Sequence, residues 1–204
     1  MLAKVKSTGL FGINGYIVDI EVDITNGLPS FEIVGLADTA VKESRERVRS
    51  AIKNSGFDFP VKRITVNMAP GDMKKEGPAY DLAIAVGILT ATNQVPCDPD
   101  FHPIYLGELS LDGSIRPVSG VLPMLLSVSG TEHEAVLSTA NAPEACHVEG
   151  MTVHPFDHLK CLVSALNGET PLRTYQPDND KPFENHPPVL EDYSDVKGQE
   201  GAKR

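Results

Sequence analysis

Six cations crowd one stretch of this chain: Arg45, Arg47, Arg49, Lys53, Lys62 and Arg63. Guanidinium and ammonium groups at that density can hold phosphates, the sequence-independent part of nucleic-acid binding. The plain alternative is a solvated helix face, and Glu43 and Glu46 interrupt this one. A second group, Lys74-Lys75-Glu76-Gly77-Pro78, precedes an apolar segment whose helical N-terminus would attract an anion. Its plain reading is a solvated loop. Asp81 sits in the first turn of that segment, where a carboxylate caps a helix and opposes its dipole more readily than it titrates in catalysis. His154 and His158 have a metal spacing, but Pro155 places His154 ahead of any helix start, and no third ligand is near in sequence. They read as packing or surface histidines, and no metal site is expected. The chain contains no G-x-x-x-x-G-K-S/T, no G-x-S-x-G and no H-E-x-x-H. It therefore lacks the phosphate-cradling, nucleophile-elbow and zinc-protease signatures.

The elements that must position these residues can be read from periodicity. Residues 16–24, YIVDIEVDI, alternate apolar and acidic and predict a half-buried strand. Asn26-Gly27 is a turn signal and 30–35 the returning strand, together a hairpin. Asp38 then caps a helix running to about Ser55, closed by Gly56. Val41, Ser44, Val48, Ala51 and Ile52 form its narrow inner face, and the cations cover the rest. Residues 62–68 predict a strand. Residues 80–92 are apolar nearly all round and predict a buried helix. Residues 104–118 predict a hairpin turning at Asp112-Gly113. Helices are expected at about 119–129 and 156–167, strands at 134–138 and 151–154, and a helical turn near Asn141. Residues 169–190 hold five prolines and read as an extended linker. Residues 191–204 begin a helix with no core to rest on. Interleaved strands and helices with two hairpins favour a mixed α/β sheet.

The 204 residues carry a net charge of -10, unevenly spread. Residues 1–75 hold 11 Lys/Arg against 9 Asp/Glu, and residues 76–204 hold 7 against 19. That excludes a protein coated with positive charge and leaves only a local basic face. No apolar run reaches the ~18 residues of a membrane span, and none suits a signal peptide. The three cysteines, Cys97, Cys146 and Cys161, contain no C-x-x-C pair. A reducing, cytoplasmic setting fits them better than a disulfide scaffold.

Two long blocks now carry a resemblance. Residues 27–57 (GLPSFEIVGLADTAVKESRERVRSAIKNSGF) and 63–89 (RITVNMAPGDMKKEGPAYDLAIAVGIL) closely resemble the N-terminal domain of the magnesium-chelatase-like AAA+ ATPases of the YifB/ComM family. The likeness covers residues 1 to about 168, and 192–204 (DYSDVKGQEGAKR) resemble the first segment of the family's AAA+ module. The resemblance implies a Lon-like domain over 1–168, a Pro-rich linker over 169–190, and the truncated start of the AAA+ module over 191–204. The P-loop would follow shortly beyond Arg204, with ATP and magnesium bound there and no cofactor in this chain. The family's domain is related to the proteolytic domain of Lon and the C-terminal domain of the RadA recombination protein. That implies a ribosomal-protein-S5-domain-2-like α/β fold.

The likeness to Lon also speaks to catalysis. Lon-type proteases place a nucleophilic Ser after a Gly-Pro pair ahead of the buried helix; here Gly77-Pro78 is followed by Ala79. Their Lys falls in the region matched by 107–123, where Leu122 stands. Without hydroxyl and amine, a Ser/Lys mechanism has no nucleophile and no base. The family also usually carries a Ser in the stretch before Asp81, where this chain has Pro78-Ala79. Three functional expectations follow. The first is a non-catalytic accessory domain of a hexameric, ComM-type motor that migrates DNA branches in recombination and transformation. Its partners would be further copies of the full-length ring and single-stranded or branched DNA, with no membrane. The second is a divergent peptidase using Lys75, Glu76 and Asp81 in a degenerate cleft. The third is an orphan truncated product with an assembly role only.

Overall fold

The computed structural model describes residues 1–177. Its framework is a seven-stranded mixed sheet. Strands β1 (Leu2–Phe11) and β2 (Asn14–Thr25) form a long antiparallel hairpin, from Leu2 opposite Asp23 to Phe11 opposite Asn14. In β2 the predicted alternation holds, with Val18, Ile20, Val22 and Ile24 buried. β1 is absent from the sequence reading because buried Ser7 and Thr8 break its apolar pattern. The Ser7 hydroxyl is satisfied by donating to the Tyr105 carbonyl at 2.8 Å.

The turn at Asn26-Gly27 does not fold β3 (Ser30–Val34) back onto β2, contrary to the expected hairpin. Instead β4 (Arg63–Ala69) inserts between them, antiparallel to β2 and parallel to β3. The reason is α1 (Thr39–Asn54), whose apolar stripe must cover the sheet. The chain leaves β3 through that helix and returns as a parallel neighbour, a crossover that a tight turn cannot make. The predicted inner face of α1 is the observed one: Val41, Ser44, Val48, Ala51 and Ile52 are buried.

Helix α2 (Asp81–Ala91) runs through the core, and every residue except Thr90 is buried. Gly87 lets it press on the sheet, since a Cβ there would stand 2.7 Å from Val22 Cγ2. The expected hairpin at 104–118 divides. β5 (Ile104–Leu106) joins the main sheet between β1 and β8, while β6 (Glu108–Leu109) and β7 (Ile115–Arg116) pair around the Asp112-Gly113 turn. The remaining elements are α3 (Val121–Leu126), β8 (Glu134–Ser138), α4 (Ala142–Ala145), β9 (Thr152–Phe156) and α5 (Leu159–Leu166). The main sheet runs β3-β4-β2-β1-β5-β8-β9, and β1, β5, β8 and β9 are mutually parallel.

His154 lies in β9, and His158 is the N-cap of α5, where its ring nitrogen accepts from Lys160 N at 3.1 Å. α5 therefore starts three residues later than the pattern predicts. Residues 169–177 lie against the domain. Tyr175 N donates to the Val153 carbonyl at 2.7 Å, and Leu172 and Tyr175 are half-buried on the two apolar clusters. The rest of the expected linker, 178–190, and the segment 191–204 fall outside the described residues.

Candidate nucleic-acid interface

Helix α1 carries two kinds of cation. Its start is set by Asp38, whose carboxylate accepts from Val41 N at 2.7 Å. Facing solvent, Arg45, Arg49 and Lys53 join Lys62 around a cavity of about 290 Å³ between the helix and the segment after it. Glu46 is the one acid on its lining. Arg45 is tethered by hydrogen bonds from Nε to the Lys42 carbonyl (3.0 Å) and from its terminal nitrogen to the Phe31 carbonyl (3.3 Å). Arg49 Cζ lies 5.6 Å from the centre of the Phe59 ring, within cation–π range. Phe59 and Phe31 are themselves 5.9 Å apart and tilted by 43°. Both aromatics line the cavity, and neither is among the residues singled out from sequence. The available signal was their interleaving with cations, Phe31 before α1 and Phe59 three positions before Lys62. Arg63 is exposed at the start of β4, opposite Thr25 and Ser30, and stands off the lining.

Arg47 does not belong to this face. It turns inward to Asp81, with Nε 2.6 Å from one carboxylate oxygen and its terminal nitrogen 3.1 Å from the other. The fully buried Asp81 also accepts from the Ser44 hydroxyl and, at 3.2 Å, from Leu109 N. Asp81 does sit in the first turn of α2, as expected, but the hydrogen bonds of its carboxylate tie α1, α2 and β6 together where a capping bond was expected. The carboxylate raises the Arg47 pKa, chiefly by hydrogen bonding to its charged form. A buried pair of this kind fixes geometry, and removing one partner strands the other.

The candidates for a degenerate cleft each have different partners. The side chain of Lys75 is buried, not solvated as a loop lysine would be, and its ammonium donates to the carbonyls of Pro70 and Met73, the latter at 2.9 Å. Burial pushes its pKa down. Glu76 is exposed and pairs with Lys74 at 2.6 Å. Ala79 and Glu76 line a cleft of about 370 Å³ with Pro78, Tyr80 and Glu108. Burial is the main cause raising the Tyr80 phenol well above its usual range. Leu122 is not on that lining; it packs half-buried on the cluster around Ile104, Val121 and Leu137. Lys75 and Asp81 thus both serve as internal ties, whereas Glu76 faces solvent beside Lys74.

A family profile described as "Subunit ChlI of Mg-chelatase" matches residues 20–141, more than half of the chain. The chain belongs to this ChlI-related family. Within it, the chain is similar to the competence protein ComM of Haemophilus influenzae, 39% identical over 205 residues that include all of this chain and 40% of ComM. It is also 38% identical over 206 residues to YifB of Salmonella typhimurium, again all of this chain and 39% of the relative. These matches support the assignment to the YifB/ComM branch. The chain thus spans about 40% of the length of the curated relatives it matches. Lon protease 2 of Thermus thermophilus is 26% identical over 168 residues, covering 75% of this chain and 21% of the protease. The mixed, mostly parallel sheet fits the Lon-like, S5-domain-2-like α/β class expected for the ChlI-related family.

Proposed function

We propose that this chain is a non-catalytic accessory domain of a ComM-type AAA+ ATPase, and that the Arg45, Arg49, Lys53 and Lys62 face contacts DNA. The observation that carries the reading is the gathering of four cations and two aromatic rings around one cavity in a protein of net charge -10. In such a protein the long-range field opposes nucleic acid, so contact must be local. A hexameric ring would repeat a weak face six times around one strand, and linked sites bind far more tightly together than singly. The full protein would act as a branch-migration motor in recombination, with ATP and magnesium in its motor module and no cofactor in this part. It would work in the cytoplasm. No helix among the described residues is long and apolar enough to cross a membrane.

The accessory role is supported by Ala79 and Leu122 at the positions where the likeness to Lon places Ser and Lys. The internal engagement of Lys75 and Asp81 supports it further. The test is fluorescence anisotropy of the 204-residue chain with labelled single-stranded and branched DNA at low and moderate salt. Weak, salt-sensitive binding is expected, and the variant with Arg45, Arg49, Lys53 and Lys62 all changed to Ala should lose it. Tight binding that survives this variant would refute the assigned face. Hydrolysis of casein that is lost on Asp81→Asn with urea unfolding unchanged would instead establish the peptidase reading.

A further inference from the structure

We infer that the cavity between α1 and the 59–62 segment is a stacking site for one unpaired nucleobase, so the face takes single-stranded nucleic acid in preference to duplex. The inference rests on the nucleic-acid reading above and names its ligand class. Cations alone would serve a duplex equally well, because phosphates line both forms. The difference lies in the rings. Phe31 and Phe59 are half-buried on the cavity wall, and Arg49 packs over Phe59 while remaining exposed. Phe59 therefore sets a flat, weakly hydrated cation on the lining of the cavity.

A flat π-faced surface is useful only to a ligand that offers a face. Bases in a duplex stack on one another and expose edges, whereas an unpaired base can lay its face on an aromatic ring or a guanidinium plane. The cavity, about 290 Å³, is close to the size of a small-ligand pocket. Lys53 and Lys62 stand exposed on its rim, placed for the flanking phosphates. Glu46 faces the same space. Its carboxylate repels phosphate but accepts an N–H from a base, which favours the base as the group that enters.

The experiment uses the 204-residue chain and four fluorescein-labelled probes of equal length: oligodeoxythymidylate, oligouridylate, a mixed duplex, and an abasic deoxyribose-phosphate oligomer. Oligodeoxythymidylate should bind about tenfold more tightly than the abasic oligomer, the size of effect expected for one stacked base. Arg49→Lys keeps the charge and removes the plane. It should weaken the thymidylate complex about tenfold and leave the abasic and duplex complexes within about twofold. Phe59→Leu should act in the same direction, and Arg49→Lys keeps the test valid where Phe59→Leu loosens the fold. Uridylate binding like thymidylate supports the inference and assigns base and phosphate alone, and a preference for either supports it and adds a contact to the 5-methyl group or the sugar. Equal affinity for the abasic oligomer, or no effect of Arg49→Lys, overturns the stacking site but leaves a phosphate-binding face standing. Polyglutamate competing as well as thymidylate at equal charge also overturns it, in favour of an acidic protein partner. No binding of any probe at low salt removes both the inference and the reading beneath it.

Discussion

Arg47 and Arg49 stand two residues apart on α1, so the helix turns their side chains about 200° from each other. One ends against a fully buried carboxylate, the other over a half-buried phenyl ring. The same side-chain chemistry therefore ties three elements together in one place and faces solvent in the other. Lys74 and Lys75 repeat the contrast. Lys74 is exposed and paired with Glu76, which raises its pKa, while burial lowers that of Lys75 among backbone carbonyls. A count of local cations is thus an upper bound on the charge a partner can meet.

The contrast breaks most visibly at Arg47. Arg47→Ala leaves the Asp81 carboxylate buried without its cation and should cost about 3 kcal/mol or more of stability, measured by urea unfolding. A cost near that of a surface substitution would mean the pair is not holding the fold. Ser44→Ala removes a hydrogen bond to the same carboxylate and should cost about 1.5 kcal/mol by the same measurement.

Lys75 sharpens the comparison through pH. Its folded pKa lies below the unfolded value, so between the two the unfolded chain binds more protons and stability rises with pH up to about 10.5. Lys75→Met should flatten that rise in unfolding curves taken between neutral and alkaline pH, and Lys74→Met should not. The smallest effect belongs to the outer face. Changing Arg45, Lys53 or Lys62 singly to Ala should move stability by no more than about 0.5 kcal/mol. Arg45→Ala and Lys62→Ala combined should lower the slope of log affinity for single-stranded DNA against log salt by about 1.4. A stability loss at Lys53 comparable to that at Arg47 would erase the distinction between the two faces.

Much of the architecture was legible because burial imposes a period. The inner face of α1, the alternation of β2 and the all-round burial of α2 follow from residue spacing alone. β1 was not legible, since Ser7 and Thr8 are buried polar residues in its middle. The partner of β3 was misjudged, since a turn signal is local whereas strand order depends on where α1 must lie. For the site, the cationic cluster could be read and its division could not. Helical phase placed Ser44 inside, Arg49 and Lys53 outside, and Arg45 and Arg47 on opposite borders of the inner face. Only the arrival of Asp81 from α2 drew Arg47 inward.

The sequence by itself therefore determined the family, the α/β class and the inner face of α1. These depend on residue identity and on short-range periodicity, which one chain carries in full. Tertiary structure alone decided which cations remain available, that Phe31 and Phe59 join them, and that Lys75 and Asp81 are internal ties. Lys75 is tied locally, by the turn that brings the Pro70 and Met73 carbonyls to its ammonium, whereas the other outcomes depend on pairs about 30 positions apart, such as Arg47 with Asp81 and Phe31 with Phe59. Pairings at that separation are set by how the helices pack on the sheet, and no local pattern records them.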